Sequence, residues 1–293
     1  MFTTPTFNVQ LEVTTRCNDD CLFCPRAQII KKGIRTLADA PLDLFSLIVP
    51  QLAEFKLNKV VVISGLGEPF LYSQLNQVLQ MFKKLGKTVY LGLNTNGILL
   101  EGPRAECLIG SNVDALRVAL NLATQAAFKK FRRSGDFNKV RDNIIKFLKL
   151  KGSRKPRVRV RINHFDVNDI FLNASRRFWS KHLNKNDVFE LGGFSNWAGK
   201  IDRASWVERP LQPRKPCKYL WTHLTVNLEG DVFPCCIGIA ETRDCSLFLG
   251  NINEGPTLLE LYNGARLKEL RLLHQRKDYP FPCSLCDSYG PSD

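Results

Sequence analysis

Apolar and polar residues alternate in six short stretches, at roughly 7–13, 59–64, 88–93, 115–121, 157–163 and 187–191, and each stretch reads as a strand. Between most of them the apolar spacing lengthens to three or four residues. Leu42, Phe45, Ile48, Leu52 and Phe55 predict a helix over 41–56, and a second is expected over 73–85, with Ser73 to cap it and Gly86 to end it. A third, over 136–150, carries Phe137, Val140, Ile144 and Leu148 along one face. Strands that alternate with helices form parallel sheets with right-handed crossovers. Six such units predict an α/β fold, an open partial barrel of TIM-like (β/α)6 type.

Side chains in a barrel wall alternate between the outer helices and the lumen. On the fifth strand Val158, Val160 and Ile162 are the apolar set, which turns Arg157, Arg159 and Arg161 inward. The same parity places Gln10, Glu12, Tyr90, Asn94, Arg117 and Asn121 inside. A lumen this polar suits a polar ligand. Arg159 and Arg161 suit a carboxylate or phosphate in particular, whereas Arg157 is expected at the barrel bottom, paired with surface acids.

A chain of 293 residues accommodates one large domain and a smaller one. The Pro-rich stretch Arg209 to Pro216 marks the boundary, dividing the chain into 1–208 and 209–293. No apolar run approaches the ~18 residues of a membrane span, and Met1-Phe2-Thr3-Thr4-Pro5 lacks a secretory pattern. Ten cysteines without an export signal read as metal ligands before disulfides, and a reducing cytoplasm is the expected compartment. The net charge of +14 is concentrated between Lys129 and Arg161, where 14 basic residues face only Asp136 and Asp142. Lys139, Arg141, Lys146 and Lys149 fit a solvated helix face, and no nucleic-acid-binding motif accompanies the charge.

Cys17, Cys21 and Cys24 are spaced C-x3-C-x2-C directly after the first strand. Three thiolates around a cubane leave one iron free to bind a substrate or cofactor. With Phe23 before the third cysteine, the run resembles the signature of the radical S-adenosylmethionine (radical SAM) superfamily. Ser64-Gly65-Leu66-Gly67-Glu68-Pro69 is similar to the family's Gly-Gly-Glu-Pro segment, and the resemblance implies that Gly65, Gly67 and Glu68 serve the methionine amino group. It further implies that Asn96, in Asn94-Thr95-Asn96-Gly97, contributes to the cofactor site and that Asn121 contacts the ribose. Arg132 takes the position of a carboxylate contact, with Arg133 one residue away as the alternative. The resemblance covers about two thirds of the chain. It implies cleavage of S-adenosylmethionine to a 5′-deoxyadenosyl radical, abstraction of substrate hydrogen, and a reductant such as flavodoxin or ferredoxin.

Further on, Cys217 and Cys235 flank a hairpin signal, Glu229-Gly230-Asp231. The chain then passes Leu249-Gly250-Asn251-Ile252 and a helical run from Thr257 to Leu272, and returns to Cys283-Ser284-Leu285-Cys286. This layout resembles the Twitch module, a trimmed relative of the SPASM extension, and is similar to that of radical SAM dehydrogenases with a single auxiliary 4Fe-4S cluster. The resemblance implies two 4Fe-4S clusters in all, the second held by Cys217, Cys235, Cys283 and Cys286 in a small hairpin-plus-helix domain. Spacing alone leaves structural zinc open for that second site.

Cys107, in an apolar helical context, is expected to be a small buried residue. Cys236 and Cys245 are candidate hydrogen donors to a substrate radical, as in some epimerases of the superfamily, although spare cysteines are usually inert. His164, His182, His223 and His274 show no metal-ligand spacing; His164 ends the fifth strand, and Trp197 follows the sixth, where it walls a cavity or packs. A four-thiolate cluster has no open iron, which favours electron transfer. The expected function is therefore radical oxidation of a polar, anionic small molecule, with the auxiliary cluster accepting an electron. The start of the chain close to its first strand disfavours a fused peptide-recognition domain. Epimerisation, ribosomal-peptide modification and a non-catalytic zinc-bearing RNA-binding protein are the alternatives.

Overall fold

A computed structural model describes residues 6–55, 58–85, 88–133, 135–163, 169–202 and 214–288. Six parallel strands form the barrel wall: β1 (Thr6–Leu11), β2 (Asn58–Ile63), β3 (Val89–Thr95), β4 (Ala115–Asn121), β5 (Arg157–Asn163) and β6 (Val188–Gly192). Three short strands continue the sheet: β7 (His223–Val226), β8 (Asp231–Phe233) and β9 (Gly250–Asn251). The order is β6-β5-β4-β3-β2-β1-β7-β8-β9, with β7 parallel to β1 and the last two pairings antiparallel. The fold is thus a partial barrel whose small C-terminal unit is hydrogen-bonded to its first strand. The expected 208/209 boundary falls among residues outside those described.

Outer helices are α1 (Arg26–Lys31), α2 (Leu42–Gln51), α3 (Leu75–Lys83), α4 (Gly102–Gly110), α5 (Gln125–Arg132), α6 (Phe137–Lys151) and α7 (Asp169–Ser180). In the C-terminal unit follow α8 (Tyr219–Thr222), α9 (Leu258–Asn263) and α10 (Ala265–Gln275). Asp136 caps α6 by accepting from the Asn138 amide, and Thr124 caps α5 through the Ala127 amide. Two expectations change here. Gln74 rather than Ser73 stands at the start of α3, with no side-chain cap, and the Thr257–Leu272 run is broken at Gly264, whose extended backbone (ψ 162°) separates α9 from α10. Gly86 lies outside the described residues. Cys107 is exposed, not buried, because α4 turns Ala105 and Leu108 to the core and a residue two positions from Ala105 falls on the other side.

Strand parity holds in the core. Phe7, Val9 and Leu11 on β1, Leu116, Val118 and Leu120 on β4, and Val158, Val160 and Ile162 on β5 are all buried under the helices. Each such side chain contributes about 1.5–3 kcal/mol on burial. A second, smaller core gathers Ile29, Leu220, Phe233, Ile237, Leu247, Leu267 and Leu270 around the C-terminal cysteines. Among the described residues no helix is long and apolar enough to cross a membrane.

One buried charge network joins the two parts. Arg35 pairs with Glu12 at 2.6 Å and Glu229 at 2.8 Å, and donates to the Ile239 carbonyl at 2.7 Å. Glu12 in turn accepts from the Leu66 amide at 3.0 Å. Removing one partner of such a pair leaves uncompensated buried charge. Arg35→Met is therefore expected to cost about 3–5 kcal/mol, read as a lower thermal midpoint in circular dichroism; an unchanged midpoint would refute the role.

Candidate active site and auxiliary cluster site

The loop after β1 carries Cys17, Cys21 and Cys24, and its shape is set by buried polar partners. Asp19, between the first two cysteines, is 4% exposed and pairs with the fully buried Arg132 at 2.5 Å. Arg132 also donates to the carbonyls of Asn96 (3.1 Å) and Ala119 (3.2 Å), and its guanidinium lies over the Phe128 ring. The Leu22 amide donates to the Phe131 carbonyl, and the Phe23 ring packs on Phe194. Burial raises the pKa of all three thiols, Cys24 to about 11. Loading such a site with iron releases thiol protons, since the metal supplies the positive charge that burial otherwise denies the thiolates.

The Gly65–Glu68 segment lies against this loop. A Cβ on Gly67 would stand 2.2 Å from the Thr14 carbonyl oxygen, and one on Gly65 would stand 2.5 Å from Glu12 Cγ. Both glycines are required by close approach. The Glu68 amide donates to the Arg16 carbonyl, while its buried carboxylate accepts from Thr95 Oγ1 (2.7 Å) and from the amides of Asn96 (2.7 Å) and Phe70 (3.2 Å). Burial raises the Glu68 pKa, and these donors act in the opposite sense. Asn96 Nδ2 lies 3.8 Å from Cys17 Sγ and 2.7 Å from Asn18 Oδ1. Asn121, at a bulge and with φ 66°, accepts from Asn163 Nδ2 at 3.0 Å. The structure therefore brings Gly65, Gly67, Glu68, Asn96 and Arg132 together around the three cysteines, with Asn121 at the end of β4. Arg132 itself is fully enclosed, and it braces the loop through Asp19.

In the lumen, Arg117, Arg159 and Arg161 converge on one carboxylate. Glu190 on β6 lies 2.7 Å from Arg161, 3.3 Å from Arg117 and 4.0 Å from Arg159. The Nε atoms of Arg117 and Arg159 are buried without a hydrogen-bond partner. Burial, then the neighbouring Arg161 and Arg159, depress the Arg117 pKa against the pull of Glu190. Arg157 is exposed. His164 lies outside the described residues. Glu190 was reachable by parity from Phe189 and Leu191, but no motif drew attention to it.

At the C-terminal unit, Cys217, Cys235, Cys283 and Cys286 line one cavity, together with Tyr219 and His274. Burial and the neighbouring thiols push Cys217 and Cys283 up to about 12. Four thiols lining one cavity are the ligand set that a four-thiolate iron-sulfur cluster takes. Among the described residues no three His, Cys, Asp or Glu side chains close on a single ion. Cys236 and Cys245 do not line the cavity; Cys245 is buried in the second core. Trp197 packs against that same core, in a loop fixed by Asn196 to Asp287 and Leu285.

Two cysteine sets on a partial parallel barrel, one of three thiols and one of four, suit two iron-sulfur clusters, the first with an open iron. Residues 11–169 match the Radical SAM superfamily, and residues 217–287 match the SPASM iron-sulfur cluster-binding domain. The chain belongs to the radical SAM superfamily and is an enzyme of that kind, with 4Fe-4S clusters and S-adenosylmethionine as cofactors. A GTP 3′,8-cyclase of Clostridium botulinum is 26% identical over 175 residues, 58% of this chain and 53% of its own. The chain spans about half the length of the curated relatives it matches. Among solved structures, BtrN in complex with AdoMet and 2-DOIA superposes with a TM-score of 0.63 at 16% identity, covering 97% of this chain and 93% of its own. Streptococcus suis SuiB bound to precursor peptide SuiA superposes with a TM-score of 0.68 at 14% identity, covering 92% and 67%. Zinc at the second site is set aside by the iron-sulfur domain match.

Gly67→Ala is expected to push the segment off the cysteine loop. Overpacking of this kind costs about 1–3 kcal/mol, and here it falls on the cofactor site. The variant should retain its fold by circular dichroism yet bind S-adenosylmethionine at least tenfold more weakly in equilibrium dialysis, whereas unchanged binding would contradict the contact.

Proposed function

We propose that this enzyme oxidises a polar, anionic small molecule held in the barrel by Arg159 and Arg161, with Arg117 as a third cation, and that the auxiliary cluster accepts the released electron. The observation that carries this reading is the arginine group on β4 and β5: three guanidinium groups share one carboxylate, which leaves a net charge of +2 on that group. An anionic substrate supplies the missing counter-charge and the acceptors that the Arg117 and Arg159 Nε groups lack. When bound, the reduced first cluster and S-adenosylmethionine supply a 5′-deoxyadenosyl radical that takes hydrogen from the substrate. The chain's own residues do the rest. Cys17, Cys21 and Cys24 hold that cluster; Gly65, Gly67, Glu68, Asn96 and Asn121 shape the cofactor site, and Arg132 positions the cysteine loop. Cys217, Cys235, Cys283 and Cys286 hold the second cluster with no open iron, which favours electron transfer over substrate ligation.

SuiB is a peptide-bound neighbour and BtrN a small-molecule one, and the charged lumen favours the second kind of substrate for this chain. Cys245 is buried in the second core with the auxiliary cysteines, while the arginines lie on β4 and β5, so oxidation is preferred to quenching by that thiol. A small reductant protein of the flavodoxin or ferredoxin type is the proposed electron source.

Anaerobic reconstitution with iron and sulfide, reduction and addition of S-adenosylmethionine should give 5′-deoxyadenosine from the wild type and none from the Cys17→Ala, Cys21→Ala, Cys24→Ala triple variant. Product from both proteins would exclude the assigned cluster. For the lumen, inorganic pyrophosphate and citrate serve as probes in isothermal titration calorimetry. Each lost charged hydrogen bond is worth about 1.5–3 kcal/mol, so Arg159→Gln and Arg161→Gln should each weaken binding about tenfold or more. Equal affinities in wild type and variants would remove the arginines from the substrate site.

A further inference from the structure

His274 on α10 is 2% exposed and lines the same cavity as Cys217, Cys235, Cys283 and Cys286. Its Nδ1 accepts the Cys217 backbone N–H at 3.3 Å. A ring nitrogen that accepts a hydrogen bond carries no proton, so the imidazole proton resides on Nε2. That Nε2 is buried and has no hydrogen-bond partner in the protein. Buried donors are almost always satisfied, and an unsatisfied one beside a cofactor site points to a partner that the cofactor supplies. The only acceptors a four-thiolate iron-sulfur cluster offers are its sulfurs.

We infer that His274 is a positioning and tuning residue of the auxiliary cluster: one ring nitrogen fixes the backbone of the ligand Cys217, and the other donates its N–H to a cluster or cysteine sulfur. Hydrogen bonds to the sulfurs stabilise the more negative, reduced cluster and so raise its reduction potential. The placement also explains why this histidine shows no metal-ligand spacing in the sequence. It approaches the cluster from the last turn of α10 as a donor and is not a ligand. The inference rests on the auxiliary cluster alone, and holds whichever way electrons pass between that cluster and the substrate.

The test uses full-length protein carrying Cys17→Ala, Cys21→Ala and Cys24→Ala, so that the auxiliary cluster alone contributes to the spectra. In protein labelled with 15N-histidine, pulsed electron paramagnetic resonance of the reduced cluster should show a weak 15N coupling that disappears in His274→Phe. The same substitution should lower the reduced-to-oxidised ratio at a fixed potential roughly tenfold, a shift of about 59 mV for one electron. His274→Gln, whose amide can both donate and accept, should recover part of it. Iron and sulfide content checks assembly, and equal cluster occupancy in both variants is expected. A 15N coupling that survives His274→Phe, its absence from the histidine-intact protein, or an unchanged potential in His274→Phe at full occupancy would each overturn the assignment.

Discussion

Arg132 has no exposed surface, and a guanidinium so enclosed is tolerated only where every direction offers an acceptor. Asp19 supplies the charge, and the carbonyls of Asn96 and Ala119 supply the remaining acceptors. Those partners come from three places: the cysteine loop, the end of β3 and the end of β4. The pair therefore fixes the loop between Cys17 and Cys21 relative to the two strand ends beside it. Glu68 does the same from the other side, taking donors from Thr95, Asn96 and Phe70 while its own amide holds the Arg16 carbonyl. Three cysteines on a short irregular loop have little to position them otherwise. Their geometry is imposed by buried charge at both flanks.

The second cluster site is joined to the first by the sheet. β7 pairs with β1, and the next strands carry the chain to Cys235, so the auxiliary cysteines are built onto the strand whose far end leads to Cys17. Arg35 reinforces this by binding Glu12, Glu229 and the Ile239 carbonyl together. Because Glu12 also holds the Leu66 amide, the same network touches the Gly65–Glu68 segment and the helical turn Cys236–Ala240. Relative position of the two sites is thus a property of backbone hydrogen bonds and one charge network.

Much of this was legible in the chain. Period-two alternation located all six barrel strands, and it assigned Val158, Val160 and Ile162 to the helices and the intervening arginines to the lumen, because a buried face on one side leaves only one register possible. The two cysteine sets stood out by their spacing, and they fall within the two matched segments, 11–169 and 217–287. What escaped were single residues whose roles depend on a distant partner. Asp19 and Glu190 belong to no motif, and His274 shows no metal-ligand spacing. Helices α1 and α5 are short, and their apolar faces too brief for periodicity to declare them. Cys107 was misread for the related reason that composition around a residue says less than its helical phase.

Arg132 shows how the residue-level resemblance and the physics refine one another. A contact to the cofactor carboxylate asks for an accessible guanidinium, whereas this one is sealed between Asp19, two carbonyls and the Phe128 ring. Its neighbour Arg133 is about half exposed, adopts a φ of 54° and reaches Asp20 at 3.5 Å. That loose surface pair contributes little and can be exchanged for another anion at small cost. The two adjacent arginines therefore divide the work: the buried one is committed to the architecture of the loop, and the exposed one remains available for a negatively charged group arriving at its rim.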